Sequence, residues 1–130
     1  MDSLHIVPIY AALFALVFIV LSIRTIGTRR RERVSIGDGG KPDLQRAIRV
    51  HANFAEYVPL ALILLAFVEL QIRADWVVHV LGAILLAARI SHAYGLSTEA
   101  AHFRFRVHGM QGTFFVIAAS AVALLVNAIV

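Results

Sequence analysis

Cysteine is absent from the 130 residues, and charge is scarce, with Asp, Glu, Lys and Arg together only 15% of the chain. The first absence excludes a disulfide scaffold, a thiolate zinc site and a cysteine nucleophile, and leaves the redox compartment open. The second excludes an ordinary soluble domain, in which charged residues approach about a quarter of the chain. Disorder is excluded by the opposite excess: 60% of residues are hydrophobic and the mean hydropathy is +0.82. There is no phosphate loop, no Gly-x-Ser-x-Gly elbow and no dinucleotide-binding glycine pattern. What is present is one domain's worth of apolar chain that is nevertheless basic, with formal charge +4 and pI about 10.3.

Four segments carry the hydrophobicity. Ile6 to Ile23 contains no charge and ends at Arg24, long enough to cross a bilayer core. A removable secretory signal is not expected, because Asp2 stands in the n-region, the basic residues follow the apolar run, and no small-residue cleavage pattern occurs. Pro8 falls in the first turn, where its missing N–H costs little. The later spans run from about Leu44 to Leu70, Trp76 to Tyr94, and Arg106 to the C-terminus. The expected helices are 5–24, 43–71, 75–95 and 104–129, in a single membrane domain over 1–130. A basic loop over 25–42 holds Arg29, Arg30, Arg31 and Arg33, then Gly37-Asp38-Gly39-Gly40. Asp43 and Asp75 are the expected N-caps of the second and third helices, and Gly95 to Phe105 forms the last loop. Short connections imply an all-α integral membrane fold, a four-transmembrane-helix up-down bundle.

Charge placement orients it. Eight of the twelve Lys and Arg residues lie between Arg24 and Arg49, and Arg89, Arg104 and Arg106 belong to the same side, leaving Arg73 opposite. Cytoplasmic loops collect Lys and Arg, so both termini are expected to face away from the cytoplasm. This asymmetry accounts for the basic pI without nucleic acid, and the basic loop would attract anionic lipid headgroups.

Inside the spans the polar residues repeat at helical spacing. Arg46, Arg49, Asn53 and Glu56 fall within an arc of about 80°, whereas His51 points away from Arg49. Arg89 and His92 are three apart and share a face, and Arg106 opens the fourth span. Measured from Leu70, Glu56 lies about 21 Å into a core of about 30 Å; measured from Trp76, Arg89 lies at about 20 Å and His92 at about 24 Å. Three spans therefore place polar groups at one level, in the cytoplasmic half. A charge near mid-membrane costs about 2.5–3.5 kcal/mol, so Glu56 and Arg89 cost about 5–7 kcal/mol before pairing. An ion-pair cluster that only holds the bundle together is the plain alternative, and Arg46 and Arg104 read as snorkelling side chains. Pro59 frees the carbonyl of Ala55 or simply kinks the helix.

Several arginines with one carboxylate and one amide suit a small zwitterion bearing more than one carboxylate. A polar ligand of this kind would enter from the cytoplasm and an apolar co-substrate from the bilayer. A cation beside a bound thiol would raise its thiolate fraction, and in a chain without cysteine that sulfur must belong to the ligand.

The run Arg49-Val-His51-Ala-Asn53-Phe-Ala-Glu56-Tyr-Val-Pro59, followed by Arg89-Ile-Ser-His92 and Arg106, resembles the MAPEG family, the membrane-associated proteins in eicosanoid and glutathione metabolism. The resemblance covers nearly the whole chain. It implies a homotrimer with glutathione bound between neighbouring subunits in the cytoplasmic half. It also implies that Arg49, Asn53, Glu56, Arg89 and His92 bind or organise glutathione and that Arg106 stabilises the thiolate, with no metal. The implied activity is transfer of glutathione to, or reduction of, a small lipophilic electrophile, in a bacterial inner membrane. Ala52 stands where eicosanoid-forming members have an arginine, and Met110 where they have a tyrosine, so a dedicated prostaglandin or leukotriene synthase is not implied. A non-catalytic lipid-binding or scaffolding member is the competing reading. A small proton-coupled exporter is a third, disfavoured by the arginines on the face of Glu56.

The remaining residues read more simply. His79 is expected as a packed or hydrogen-bonded core histidine, and Trp76 as an interfacial anchor. His102 and His108 do not have metal-ligand spacing. Gly109, Gly112, Ala118, Ala119, Ser120 and Ala121 permit close helix approach.

Overall fold

A computed structural model describes residues 3–97 and 102–130. Four helices account for nearly all of them: α1 (Val7–Glu32), α2 (Pro42–Ile72), α3 (Asp75–Ser97) and α4 (Phe103–Ile129). Each is long and apolar enough to cross a membrane. Asp2 and the centre of the loop expected between the last two helices lie outside the described residues.

The first helix runs well past the end of its apolar stretch, through residues expected in the basic loop. Once a helix is nucleated each further residue adds a hydrogen bond, and Arg29, Arg30 and Arg31 in the last turn complement the helix dipole. It stops at Arg33, which adopts the left-handed conformation (φ 56°), while the N–H of Val34 reaches back to the carbonyl of Arg29 at 3.1 Å. The short loop that remains turns on three glycines with positive φ, and Asp38 accepts from the N–H of Gly40 at 2.8 Å. Neither expected aspartate caps its helix. Lys41 flanks α2, Pro42 takes its first turn because no N–H is needed there, and Asp43 follows inside that turn. Asp75 likewise lies within the first turn of α3, whose opening carbonyl comes from Ala74.

The central element is α2, which packs against all three other helices, while α3 and α4 form the most extensive pair. Its core residues Phe54, Val58, Ala61, Leu65 and Val68 alternate at spacings of four and three, a continuous buried stripe. Phe14 and Leu21 of α1, Val78, Leu81 and Leu85 of α3, and Val116 of α4 close on that stripe. Large side chains such as Leu16, Val20, Leu125 and Val126 point outward, as lipid-facing positions should.

Both ends of the α1–α2 hairpin are fastened. At the basic end the hydroxyl of Thr25 bonds to the carbonyl of Ala47 at 3.3 Å, and Ser22 Oγ lies 2.9 Å from His51 Nε2. At the far end the buried Glu69 carboxylate accepts the N–H groups of His5, Ile6 and Val7, each at 2.7 Å. A side chain of α2 thus caps the start of α1, where free N–H groups and the dipole favour an anion.

Candidate functional site

Arg89 is the largest fully buried side chain, 1% exposed. It reaches the bundle interior because α3 and α4 approach very closely: a Cβ at Gly109 would come within 2.6 Å of the Ala88 carbonyl and of His92. That contact turns the Arg89–His92 face of α3 towards α2 and α4. The guanidinium donates to Asn53 Oδ1 at 2.6 Å, to Thr113 Oγ1 at 3.4 Å, and to Met110 Sδ at 3.6 Å. His92 Nδ1 lies 3.4 Å from Nη2. The rings of Phe54 and Tyr57 flank the cation, each centroid 5.9 Å from Cζ, and Nε has no hydrogen-bond partner among the described residues.

Residues from α2, α3 and α4 therefore meet at one depth. Asn53, Arg89 and His92 form a bonded cluster. Arg49 and Glu56 do not enter it; they pair with each other at 3.6 Å on the flank of α2, with side chains 57% and 52% exposed. Arg106 is exposed at the start of α4, its Cζ 5.9 Å from the Phe103 ring. The charged members remain within electrostatic reach of the cluster, since Arg49, Arg89 and Arg106 act on His92 and Glu56 acts on Arg89. The result is a buried cation anchored from below, with an ion pair and a second arginine presented at the surface beside it. Such an arrangement can bind carboxylates through Arg49 and Arg106 and an ammonium group through Glu56.

Three contributors escape a reading of charges alone. Thr113 bonds back to the carbonyl of Gly109 at 2.8 Å and offers its oxygen to Arg89. Its only signal is a hydroxyl in an apolar span, seven residues after Arg106. Met110 touches Arg89 through sulfur, and Tyr57 covers it while packing edge-on against Phe114. His51 turns to α1, stacked on Phe18 at 4.7 Å. His79 is exposed rather than part of the core; Tyr10 reaches it, donating to the His79 carbonyl at 2.9 Å.

The sequence profile of the MAPEG family matches residues 7–126, a stretch that includes all four helices nearly end to end. The chain belongs to the MAPEG family. The inner membrane protein YecN of Escherichia coli strain K12 is 42% identical over 106 residues, covering 82% of this chain and 79% of that protein. YecN of Escherichia coli O6:H1 strain CFT073 matches to the same extent. As a MAPEG member this chain is an all-α integral membrane protein with four membrane-crossing helices. Its buried Arg89 and exposed Arg49–Glu56 pair both lie within the matched region.

Proposed function

We propose that this MAPEG protein binds glutathione at the basic end of its bundle and presents the thiolate to small lipophilic electrophiles, as a membrane-bound transferase or peroxidase. The observation that carries this reading is the exposed Arg49–Glu56 pair beside the buried Arg89 cluster. Hydrocarbon is a poor neighbour for two charged side chains at that depth, so the flank calls for a second copy of the chain and a polar ligand. A homotrimer in the bacterial inner membrane supplies such a cover. In it Arg49 takes a glutathione carboxylate, Glu56 takes the ammonium, and Asn53 and His92 orient the peptide. Arg89 holds Asn53 in place. Arg106 supplies the positive charge that favours the thiolate. The basic end faces the cytoplasm, where glutathione enters, and both termini face away from it.

Calorimetric titration of the detergent-purified protein with glutathione should show binding, accompanied by the ultraviolet absorbance of a thiolate. The Arg106→Ala variant should lose that absorbance while assembling normally; an unchanged signal rejects the role given to Arg106. One observation favours a second reading, a lipid-binding member without turnover: Met110 occupies the space over Arg89 with a thioether, which supplies no proton for catalysis. Absence of glutathione binding in the titration decides for that reading.

A further inference from the structure

Arg89 joins three helices through the two ends of its fork. Nη1 donates to Thr113 Oγ1 and Met110 Sδ of α4, at 3.4 and 3.6 Å, and Nη2 donates to Asn53 Oδ1 of α2 at 2.6 Å. A guanidinium carries donors and no acceptor, so each neighbour must turn a lone pair towards it. Thr113 does so because its own hydrogen is committed to the carbonyl of Gly109 at 2.8 Å, in a side chain that is fully buried. Asn53 does so by presenting its oxygen, which leaves its NH2 group to point elsewhere. That group has no hydrogen-bond partner among the described residues, and it is not enclosed either. The buried polar side-chain atoms without a partner are Arg89 Nε and Ser120 Oγ. Asn53 is only half-buried, and along α2 it stands four residues after Arg49 and three before Glu56, between the members of the exposed ion pair.

We propose that Thr113 and Arg89 are positioning residues that lock the Asn53 amide with its NH2 outward, so that the flank of α2 recognises a hydrogen-bond acceptor, a carboxylate or carbonyl oxygen of the ligand. The reversed amide would set donors against Nη2 on the inside and place a second kind of oxygen beside Glu56 on the outside. With the amide as it stands, Arg49 and Asn53 donate to one oxygen-bearing group, and Glu56 is left for an ammonium. Thr113 reaches this surface only through Arg89. Its oxygen holds Nη1 on α4. With that oxygen gone, Nη1 keeps only the weakly accepting thioether of Met110, and the fork is free to turn away from Asn53. Only the identity of the ligand rests on the glutathione reading; the orientation of the amide is a property of the ligand-free protein.

The chain has two asparagines, Asn53 and Asn127, so selective 15N-asparagine labelling combined with Asn127→Gln leaves one side-chain amide pair to follow by NMR in detergent. Without ligand, the Asn53 amide protons should exchange with water. Thr113→Val, which keeps the side-chain shape, should shift and broaden the pair, and Thr113→Ser should restore it. Added glutathione should then move the same pair downfield. Asn53→Asp keeps an oxygen on Arg89, so it should melt no lower than the parent protein. It should nevertheless bind glutathione about 30-fold more weakly, because a bond to a charged group is lost and a like charge faces the ligand. Thr113→Val should weaken glutathione binding about fivefold, and Thr113→Ser should leave it near the parent value. Amide protons that are shielded from water, or indifferent to Thr113→Val, overturn the proposal. So does glutathione binding that leaves the Asn53 pair unmoved or survives Asn53→Asp intact, and in those two cases the glutathione reading itself stands. A water-exposed, Thr113-dependent pair in a protein that takes no glutathione has the opposite meaning: the orientation is upheld and the glutathione reading fails.

Discussion

The N–H groups of His5, Ile6 and Val7 converge on a carboxylate whose side chain is only 2% exposed, and the ring of His5 folds over it, 3.3 Å from Glu69 Oε1 and 3.4 Å from Asp75. Glu69→Ala strands three backbone donors at a helix start and should destabilise the protein by about 3–5 kcal/mol, read as a drop in thermal midpoint in detergent. Glu69→Gln keeps an acceptor and should lose less. The carbonyl of Ser3 first, then Asp75 and Glu69, hold the His5 pKa above its ordinary 6.5. The contribution of protonated His5 is therefore complete below that value and fades as pH rises through the higher folded one. Melting should be later on the acid side of neutrality than at pH about 8, and His5→Ala should abolish the difference. None of this was legible beforehand. A lone acidic residue near the end of an apolar span has the same pattern whether it faces water or caps a helix distant in sequence.

At the scale of elements, spans and their polar stripes could be read from hydropathy and the helical period, because each depends only on local sequence. Partner choice could not. Gly109 and Gly112 announce that something packs closely, but not that it is Ala88 and His92 of α3. Gly109→Val should wedge α4 away from α3, cost about 1–3 kcal/mol, and release Arg89 from Thr113; thermal melting together with arginine-specific labelling checks both effects. Hydropathy understates the length of α1 for a different reason. Composition reports where the bilayer ends, whereas a helix ends where its backbone is turned, here at left-handed Arg33.

For the whole molecule, polar groups of α2 and α3 could be placed at one level because the rise per residue of a helix is fixed; that arithmetic set Glu56 level with Arg89, whereas the residue of α2 bonded to Arg89 is Asn53, one turn away. The division between an enclosed cluster and an exposed ion pair was not legible, since it depends on how three helices rotate against one another. Asn53→Ala removes the closest acceptor of a buried cation and should cost about 2–4 kcal/mol, beyond the effect of Arg49→Ala on the exposed flank, when the two are compared by chemical unfolding in detergent. Because the chain has no cysteine, Glu56→Cys gives a single reporter. A short bis-maleimide should join copies through it, and a product confined to monomers would separate this flank from self-association.

The seal on α1 also sets a rule for biogenesis. The group that closes its opening turn is translated 62 to 64 residues after the amides it receives. A nascent chain must therefore hold its leading turn unsealed until the second crossing is complete, so birth order and bonding order differ, and stalling synthesis before that point would leave the hairpin loose at the end away from the basic loop.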